Sequence, residues 1–241
     1  VTQSVTLDKA ITLAGGYHPD FSNVPDPTTY PTTLDALGEG RVLHITGDIT
    51  PVVEGLRVTG GDAAGQGGAG PDDDGGGGIF VEGGSPTIRD CWIYGNTADI
   101  GGGVLLGDTT AALIDNAIYE NSAGDGGGVG TGFASPIITG NEIYSNTGEY
   151  CGGGLNIYET DGTFANNVVR NNEADWGGGL CVVDSGLALT NNEILTNTAD
   201  SHGGGLTLDN APAAVTGNLI RGNGAATGSG GGVMIDGDAS D

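Results

Sequence analysis

The strongest constraint on the fold is a glycine triplet that recurs at a nearly constant interval. The last glycines of successive triplets are separated by 25, 25, 26, 25, 26 and 27 residues, and they are Gly78, Gly103, Gly128, Gly154, Gly179, Gly205 and Gly232. Glycine loses more backbone freedom on folding than any other residue, so a chain that keeps repeating a triplet must need it for geometry. Spacing of this kind is typical of a solenoid, in which each repeat is one structural unit.

Four further columns recur in the same register. Two are apolar, namely Ile93, Ile118, Ile143, Val169, Ile194, Ile220 and Ile88, Leu113, Ile138, Phe164, Leu189, Val215. Two are asparagine columns, namely Asn116, Asn141, Asn167, Asn192, Asn218 (with Cys91 in the first repeat) and Asn96, Asn121, Asn146, Asn172, Asn197, Asn223. Apolar residues alternate over short runs, which is the period of a half-buried strand. The pattern predicts an all-β fold, a parallel β-helix (solenoid) with three strands per coil of about 25 residues.

The repeat also predicts what the glycines and asparagines do. We expect each triplet to lie at a sharp bend, where a Cβ would meet the adjacent coils and where positive φ is required. We expect the asparagines to point inward at bends, to satisfy backbone groups that no strand ladder reaches, and to pair with the asparagine of the next coil.

The whole chain, 1–241, is predicted to be a single β-helix domain. Residues 1–61 form irregular N-terminal coils with an insertion at 17–41 that could cap them, and an acidic glycine-rich loop occupies 62–75. Residues 76–241 form the regular coils, of which the last is incomplete. In the irregular part, Leu56 and Val58 align with Cys91 and Ile93, and we align Ile11 and Leu13 with the same two columns.

The paired motifs GGG[ILV] and [IV]xxN resemble a known repeat type. Instances of the second motif are IYGN, IYEN, IYSN, VRNN, ILTN and IRGN. They resemble the GGA[ILV] and FxxN repeats of polymorphic outer-membrane proteins, with glycine for alanine and isoleucine for phenylalanine. More broadly, residues 42–241 resemble the right-handed parallel β-helices of the pectin-lyase-like superfamily. The resemblance implies a right-handed coil and an exported, surface-exposed, often adhesive protein located outside the cell or on the cell surface.

The charge of the chain excludes one class of partner. With 31 acidic and 6 basic residues the formal net charge is −25, and nucleic-acid binding needs a basic surface that neutralises phosphates. No membrane insertion is expected, since the chain contains no run of about 18 apolar residues. Divalent cations and basic partners suit such a surface, whereas the plain alternative is a solvated acidic coat that limits aggregation.

Catalysis is the main alternative to binding, because the pectin-lyase-like superfamily includes polysaccharide lyases and glycoside hydrolases. The outward positions of the first strand hold no facing pair of carboxylates until the last coils, and such a pair is what a glycosidase needs. The three histidines, His18, His44 and His202, are scattered, and the sequence suggests no partner for them. We therefore interpret the chain as a non-catalytic scaffold or adhesin-like protein. A filament subunit that associates end to end is a third interpretation, since terminal strand edges could template another copy.

The predicted binding site is an aromatic strip. Alternation places Tyr94, Tyr119 and Tyr144 in one outward column of the third strand, with Trp92 beside Tyr94. Such a strip could stack on sugar rings or dock a surface protein. The alternative is that a cross-strand aromatic ladder only stabilises its sheet.

The predicted metal site lies in the 62–75 loop. The stretch GGAGPDDD satisfies half of a calcium-binding nonapeptide motif, so Asp72, Asp73 and Asp74 are the candidate Ca²⁺ ligands. Acids also align in the turn before each triplet, at Asp99, Asp125, Glu149, Asp175 and Asp200. Cys151 and Cys181 lie in columns five positions apart, so we predict that they, like Cys91, are free thiols.

Overall fold

The fold is a β-solenoid in which every coil lies directly on the one before it. A computed structural model describes residues 4–21, 25–70 and 73–237. Within these ranges the named elements are all strands, wound into about eight turns, and each strand pairs in parallel with its counterpart in the adjacent coil. This arrangement confirms the predicted all-β class and the predicted solenoid.

The strands of the described residues form four parallel sheets, which we number by their order within a coil. The first sheet contains Val5–Leu7, Leu43–Thr46, Ile79–Glu82, Val104–Gly107, Val129–Gly132, Leu155–Tyr158, Leu180–Val183, Leu206–Asp209 and Val233–Asp236. The second contains Thr12–Ala14, Val52–Glu54, Thr87–Arg89, Ala112–Ile114, Ile137–Thr139, Thr163–Ala165, Ala188–Thr190 and Ala214–Thr216. The third contains Thr32–Asp35, Leu56–Thr59, Trp92–Tyr94, Ala117–Tyr119, Glu142–Tyr144, Val168–Arg170, Glu193–Leu195 and Leu219–Arg221. The fourth contains Thr97–Ile100, Ser122–Asp125, Thr147–Cys151, Glu173–Trp176, Thr198–His202 and Gly224–Ala225.

The fourth sheet is the main addition to the predicted coil. The three predicted strands are present, but the segment with the aligned acids, which we expected to be a turn, forms a further strand. Its inward column contains only small residues, namely Ala98, Ala123, Gly148, Ala174 and Ala199. Because these side chains carry little apolar surface, the segment has no clear hydrophobic alternation to indicate a strand.

The core is a set of aliphatic columns that run along the solenoid. Ile93, Ile118 and Ile143 pair from coil to coil in the third sheet and are fully buried. Burying one such side chain contributes about 1.5–3 kcal/mol, and no single coil could exclude water from it alone.

The glycine triplets occupy the corner between the fourth and the first sheet, as expected. The first glycine of the triplet has a positive φ, for example 67° at Gly101. A Cβ on Gly103, the last of that triplet, would lie 2.5 Å from the carbonyl oxygen of Gly128 and 2.9 Å from Nδ2 of Asn121. Both predicted reasons for the triplet, positive φ and close approach between coils, are confirmed.

The asparagines form two inward ladders along the solenoid. The Nδ2 group of Asn121 donates to Oδ1 of Asn146 at 3.0 Å and to the carbonyl oxygen of Ile93 at 2.9 Å. The Oδ1 atom of Asn121 accepts from the backbone N–H of Asn96 at 3.1 Å. Each amide therefore satisfies bend backbone groups in the coils around it, as predicted.

The predicted register of the first coil is wrong. Leu13 pairs with Val53 of the second sheet, instead of lying in the column of Val58 and Ile93. The third strand of this coil is Thr32–Asp35, inside the predicted insertion at 17–41. The glycine pair after Leu13 misled the alignment, because small residues are needed at more than one corner of the coil and do not identify which corner it is.

Candidate functional site

The outer face of the third sheet holds the predicted aromatic residues in two parallel columns. Cross-strand pairing places Arg57, Trp92, Ala117 and Glu142 in one column. The other column contains Tyr94, Tyr119, Tyr144 and Arg170. The predicted set of Trp92, Tyr94, Tyr119 and Tyr144 is therefore brought together on one face.

The three tyrosines form a closed stack. Ring centroids are 5.0 Å apart for Tyr94 and Tyr119 and 4.9 Å apart for Tyr119 and Tyr144, with planes tilted by 7° in both pairs. The guanidinium carbon of Arg170 lies 4.3 Å from the centroid of Tyr144 and covers the end of the stack. Burial raises the pKa of the Tyr119 and Tyr144 phenols. Since the ring faces cover one another, this column offers ring edges and hydroxyl groups to a ligand.

Trp92 is in a different situation. On one side of its indole ring lies the guanidinium of Arg57, 5.7 Å from the ring centroid. In the next coil the residue paired with Trp92 is Ala117, whose methyl group leaves space beside the ring. This space belongs to a groove of about 660 Å³, which we call the Trp92 groove, lined by Gly15, Pro25, Pro27, Glu54, Gly55, Arg89, Asp90, Cys91, Trp92, Asp115, Asn116, Ala117, Gly140 and Glu142.

Carboxylates surround the Trp92 groove, and arginines hold two of them. Arg89 forms an ion pair with Glu54, and Arg170 donates to Glu142 at 2.7 Å. Asp90 lies 4.0 Å from Arg89. Aromatic surface beside fixed carboxylates is a suitable arrangement for a ligand with several hydroxyl or amino donors.

Sequence reasoning found Trp92 but missed the groove. One wall is made by Pro25 and Pro27 of the insertion, and Pro27 packs against the corner at Gly55. The path of an irregular insertion cannot be read from a repeat pattern. The sequence feature that indicates the groove is Ala117, a small residue that follows Trp92 in a column of larger outward residues.

The outer face of the first sheet, where a catalytic cluster was considered, is covered along one of its two outward columns. In that column Phe80, Leu105, Cys181 and Thr207 are buried, whereas Glu82 and Tyr158 of the other column are exposed. The end of the fourth-sheet strand of an earlier coil lies over this face: a Cβ on Gly130 would meet the side chain of Ile100, the last residue of Thr97–Ile100, at 2.9 Å. These four positions are thus part of a small second core outside the coil.

The end of a fourth-sheet strand also lies over the first sheet at Cys151, which explains why the prediction about the cysteines is wrong. Cys151 and Cys181 form a disulfide, with Cα atoms 5.7 Å apart, although we expected them to be too distant to bridge. Gly152, with φ 73°, turns the chain back sharply, so Cys151 lies over the outer face of the first sheet in which Cys181 is buried. Cys91 is a free thiol, as predicted, and burial raises its pKa to about 11.

The prediction that the histidines have no partners is also wrong. His18 Nδ1 lies 2.6 Å from Asp20, and His44 Nε2 lies 3.4 Å from Glu82. His202 Nδ1 accepts a hydrogen bond from the backbone N–H of Ser229 at 3.1 Å. Glu82 and Ser229 become neighbours of His44 and His202 because coils stack, which a search along one coil cannot reveal, whereas Asp20 lies only two residues from His18.

Side chains of the protein itself hold the described part of the 62–75 loop. Asp74 accepts hydrogen bonds from the backbone N–H groups of Gly65 and Gly67, which lower the pKa of its carboxyl. Arg41 is buried and donates to the carbonyl oxygens of Gly67 and Gly75 at 2.7 and 2.6 Å. The carboxylate of Asp74 and the carbonyl oxygens of Gly67 and Gly75 are therefore already engaged within the protein.

The calcium prediction remains a prediction. Asp72 lies outside the described residues, and Asp73 is exposed. The carboxylate of Asp74 accepts hydrogen bonds from the backbone N–H groups of Gly65 and Gly67. Over the ranges that the structure describes, no group of three or more histidine, cysteine, aspartate or glutamate side chains is arranged to hold a metal ion.

The predicted acidic column runs along the fourth sheet. Asp73, Asp99, Asp125 and Glu149 line a second groove, of about 730 Å³. Asp99 accepts from the backbone N–H of Asp74 at 2.9 Å, and Asp125 accepts from that of Cys151 at 3.0 Å. Burial raises the pKa of Asp125. Asp99 therefore bonds the backbone of the preceding turn, and Asp125 bonds that of the following turn.

Two further findings bear on identity. Among the described residues there is no helix with the length and apolar character that crossing a membrane requires. Comparison with curated proteins gives no match, and neither does comparison with solved structures. The family model described as "Right handed beta helix region" matches residues 77–241, more than half of the chain, so the protein belongs to the right-handed β-helix family.

Proposed function

We propose that this protein is a non-catalytic, extracellular β-helix that binds a saccharide in the Trp92 groove. The observation that carries the proposal is the wall formed by Trp92, where the small side chain of Ala117 leaves room beside the indole ring. Sugar rings present C–H faces that pack on an aromatic surface, and their hydroxyl groups donate to carboxylates. The tyrosine stack next to Trp92 extends the same face with further hydroxyl groups.

Two of the four groove acids are held in a way that favours binding over catalysis. Glu54 and Glu142 are ion-paired with arginines, which fixes them as acceptors for a ligand. The alternative of a polysaccharide lyase or glycoside hydrolase relied on the outer face of the first sheet, and one of the two outward columns of that face, which contains Phe80 and Leu105, is largely buried. The outer face of the third sheet presents the accessible indole ring of Trp92, which suits binding of a saccharide chain that runs across several coils.

Two observations support a location outside the cell. The Cys151–Cys181 disulfide suits an oxidising compartment, since disulfides are rare in reducing ones. The GGG[ILV] and [IV]xxN motifs resemble the repeats of polymorphic outer-membrane proteins, which are exported. Labelling of intact source cells with an antibody against this chain tests the location, and labelling only after lysis would contradict it.

The binding proposal is tested by the fluorescence of Trp92. The chain has two tryptophans, so a Trp176→Phe variant reports Trp92 alone. We expect hexamers of glucosamine or of N-acetylglucosamine to change its emission in a saturable way. Binding measured by calorimetry should be lost in Trp92→Ala and kept in Trp176→Ala, which removes a partly exposed tryptophan of the fourth sheet.

The same samples separate binding from catalysis. Mass spectrometry of the hexamers after long incubation should show them intact. If neither hexamer, and none of a wider panel of neutral polysaccharides, changes the emission of Trp92, the proposal of a saccharide site is wrong. Shortened products that disappear in a variant of the groove carboxylates would instead establish the enzyme alternative.

A second candidate function is end-to-end assembly. In the last described coils Val215, Leu219 and Ile235 are exposed to 41%, 49% and 73%. A second copy stacked on this end would cover these side chains and pair the open strand edges. Light scattering should then show rods that grow with concentration and that Ile235→Lys abolishes, whereas a monomer at all concentrations would rule out this function.

A further inference from the structure

We propose that the Trp92 groove selects saccharides that carry free amino groups, as in a glucosamine oligomer. The proposal rests on the proposed function, because it assumes that a sugar chain lies against Trp92, and it adds the chemical class of that sugar. Three features carry it: the charge balance of the groove, the choice of residues at one corner, and the accessible side of the indole ring.

The charges of the groove do not balance. Within the described part of the chain, four carboxylates line it, those of Glu54, Asp90, Asp115 and Glu142, and Arg89 is the one cation of that lining. Arg89 pairs with Glu54, and Arg170, from outside the lining, pairs with Glu142. Asp90 keeps only a contact of 4.0 Å to Arg89, and Asp115 has no ion pair within the described residues. Arg57, whose guanidinium lies beside the indole ring, forms no ion pair with these carboxylates within the described residues. Asp90 and Asp115 therefore lack the close countercharge that Glu54 and Glu142 have.

The corner that holds these two carboxylates does not require acids. Asp90 and Asp115 both have φ 54°, a left-handed conformation that glycine and asparagine adopt more readily than most residues. The same corner in the other coils is occupied by Gly55, Gly140, Asn166, Asn191 and Gly217. Acids thus stand at this corner in two consecutive coils, and both line the Trp92 groove. The backbone would accept asparagine or glycine at either position, so the negative charge is a property of the groove rather than of the fold.

The ligand class follows from this geometry. An ammonium group near Asp90 and Asp115 gains Coulomb energy that a neutral sugar lacks, and the carboxylate of a uronic acid would be repelled. The side of Trp92 next to Ala117 can take the sugar ring, since Arg57 already occupies the other side. The net charge of −25 adds a long-range attraction for a polycation, which raises its rate of association at low salt.

The experiment compares two hexamers that differ only in acetylation, glucosamine and N-acetylglucosamine, by calorimetry at low ionic strength and at a pH at which the amines are charged. We expect the glucosamine hexamer to bind about tenfold more tightly, because two partly exposed ion pairs each contribute modestly. Added salt should reduce the preference by screening the charges.

The decisive variant is the double substitution Asp90→Asn and Asp115→Asn. Asparagine already occupies this corner in two other coils, so the fold should be retained. We expect the variant to bind both hexamers with similar affinity. The matched control is Asp108→Asn with Asp184→Asn, which removes two charges at left-handed positions (φ 47° and 48°) of another corner, where Asn210 occurs in a neighbouring coil. The control should keep the preference for glucosamine.

The outcomes separate this inference from the proposed function. Equal binding of both hexamers to the wild-type protein overturns the inference and leaves saccharide binding in place. So does a preference that survives Asp90→Asn with Asp115→Asn, or one that the control variant loses equally. If neither hexamer nor any neutral polysaccharide binds, the proposed function itself is wrong.

Discussion

The side-chain amide of Asn141 donates a hydrogen bond to the side-chain oxygen of Asn167, one coil further along, at 3.0 Å. The same Nδ2 group donates to the carbonyl oxygen of Leu113 at 2.9 Å, while Oδ1 of Asn141 accepts from the backbone N–H of Asn116 at 2.9 Å. One buried side chain therefore satisfies two backbone groups of the preceding coil and connects to the following coil. A leucine of similar size can make none of these bonds.

Asn141→Leu should accordingly lower the free energy of unfolding by about 1–3 kcal/mol, although it adds apolar surface to the interior. The loss comes from buried donors and acceptors that would have no partner. Urea denaturation measures this loss. Glu193→Leu is the control, because Glu193 points outward from the third sheet and is exposed. An Asn141→Leu midpoint equal to that of the wild type would show that the ladder does not support the backbone.

Gly103→Ala tests the reason for the glycine triplets. A Cβ at this position would lie 2.5 Å from the backbone oxygen of Gly128, and that oxygen cannot move without shifting the next coil. We expect a loss of at least about 2 kcal/mol in unfolding free energy. Gly132→Ala is the matched control, because its Cβ would meet nothing within 4 Å and its φ is not positive. It should be neutral or stabilise by up to about 1 kcal/mol, and equal losses in the two variants would contradict the steric explanation.

The disulfide predicts a particular count of thiols. Of the three cysteines, only Cys91 is free, and it is buried with a pKa of about 11. Native protein should therefore react slowly with an alkylating reagent, unfolded protein should label once, and unfolded and reduced protein three times. Replacing Cys151 and Cys181 with serine should cost about 2–4 kcal/mol of stability. Three labels in unfolded, unreduced protein would show that the bond is absent.

Calcium can be tested separately from general charge screening. Because Asp74 and Arg41 already engage the loop groups, we expect calcium and magnesium to raise the melting temperature alike, by relieving repulsion along the acidic column. Melts in chelator, calcium and magnesium measure this. Calcium clearly exceeding magnesium, with the difference lost when Asp72, Asp73 and Asp74 are all changed to asparagine, would instead establish a specific loop site.

The sequence predicts the features that recur in every coil. It does not predict features that depend on one particular place in the structure. Columns such as Ile93, Ile118 and Ile143 identify the coil because the same environment recurs at the same position in each turn. The fourth strand was missed because Ala98 and Gly148 carry too little apolar surface to mark an inward column. The Cys151–Cys181 bond was missed because the left-handed corner at Gly152 reverses the chain direction within a few residues.

The candidate site likewise combines features that the repeat predicts with features that it does not predict. Alternation sufficed to place Trp92 and Tyr94 on one outward face, because a strand has only two faces. It could not show that the tyrosine rings cover one another while Trp92 borders a groove, because that depends on Ala117 in the next coil and on Pro27 in an irregular insertion. The size of the side chain that follows an outward ring in the next coil thus decides whether that ring stays accessible.

The central claim is that a saccharide lies against Trp92, and footprinting of the unmodified protein tests it most directly. Oxidative labelling read by mass spectrometry reports Trp92 and Trp176 in the same sample, so Trp176 on the fourth sheet is an internal control. With the glucosamine hexamer present, labelling of Trp92 should fall by several fold in a saturable way, while labelling of Trp176 stays constant. Unchanged labelling of Trp92 with this hexamer, with the N-acetylglucosamine hexamer and with the neutral polysaccharides, or equal protection of both tryptophans, would contradict the claim.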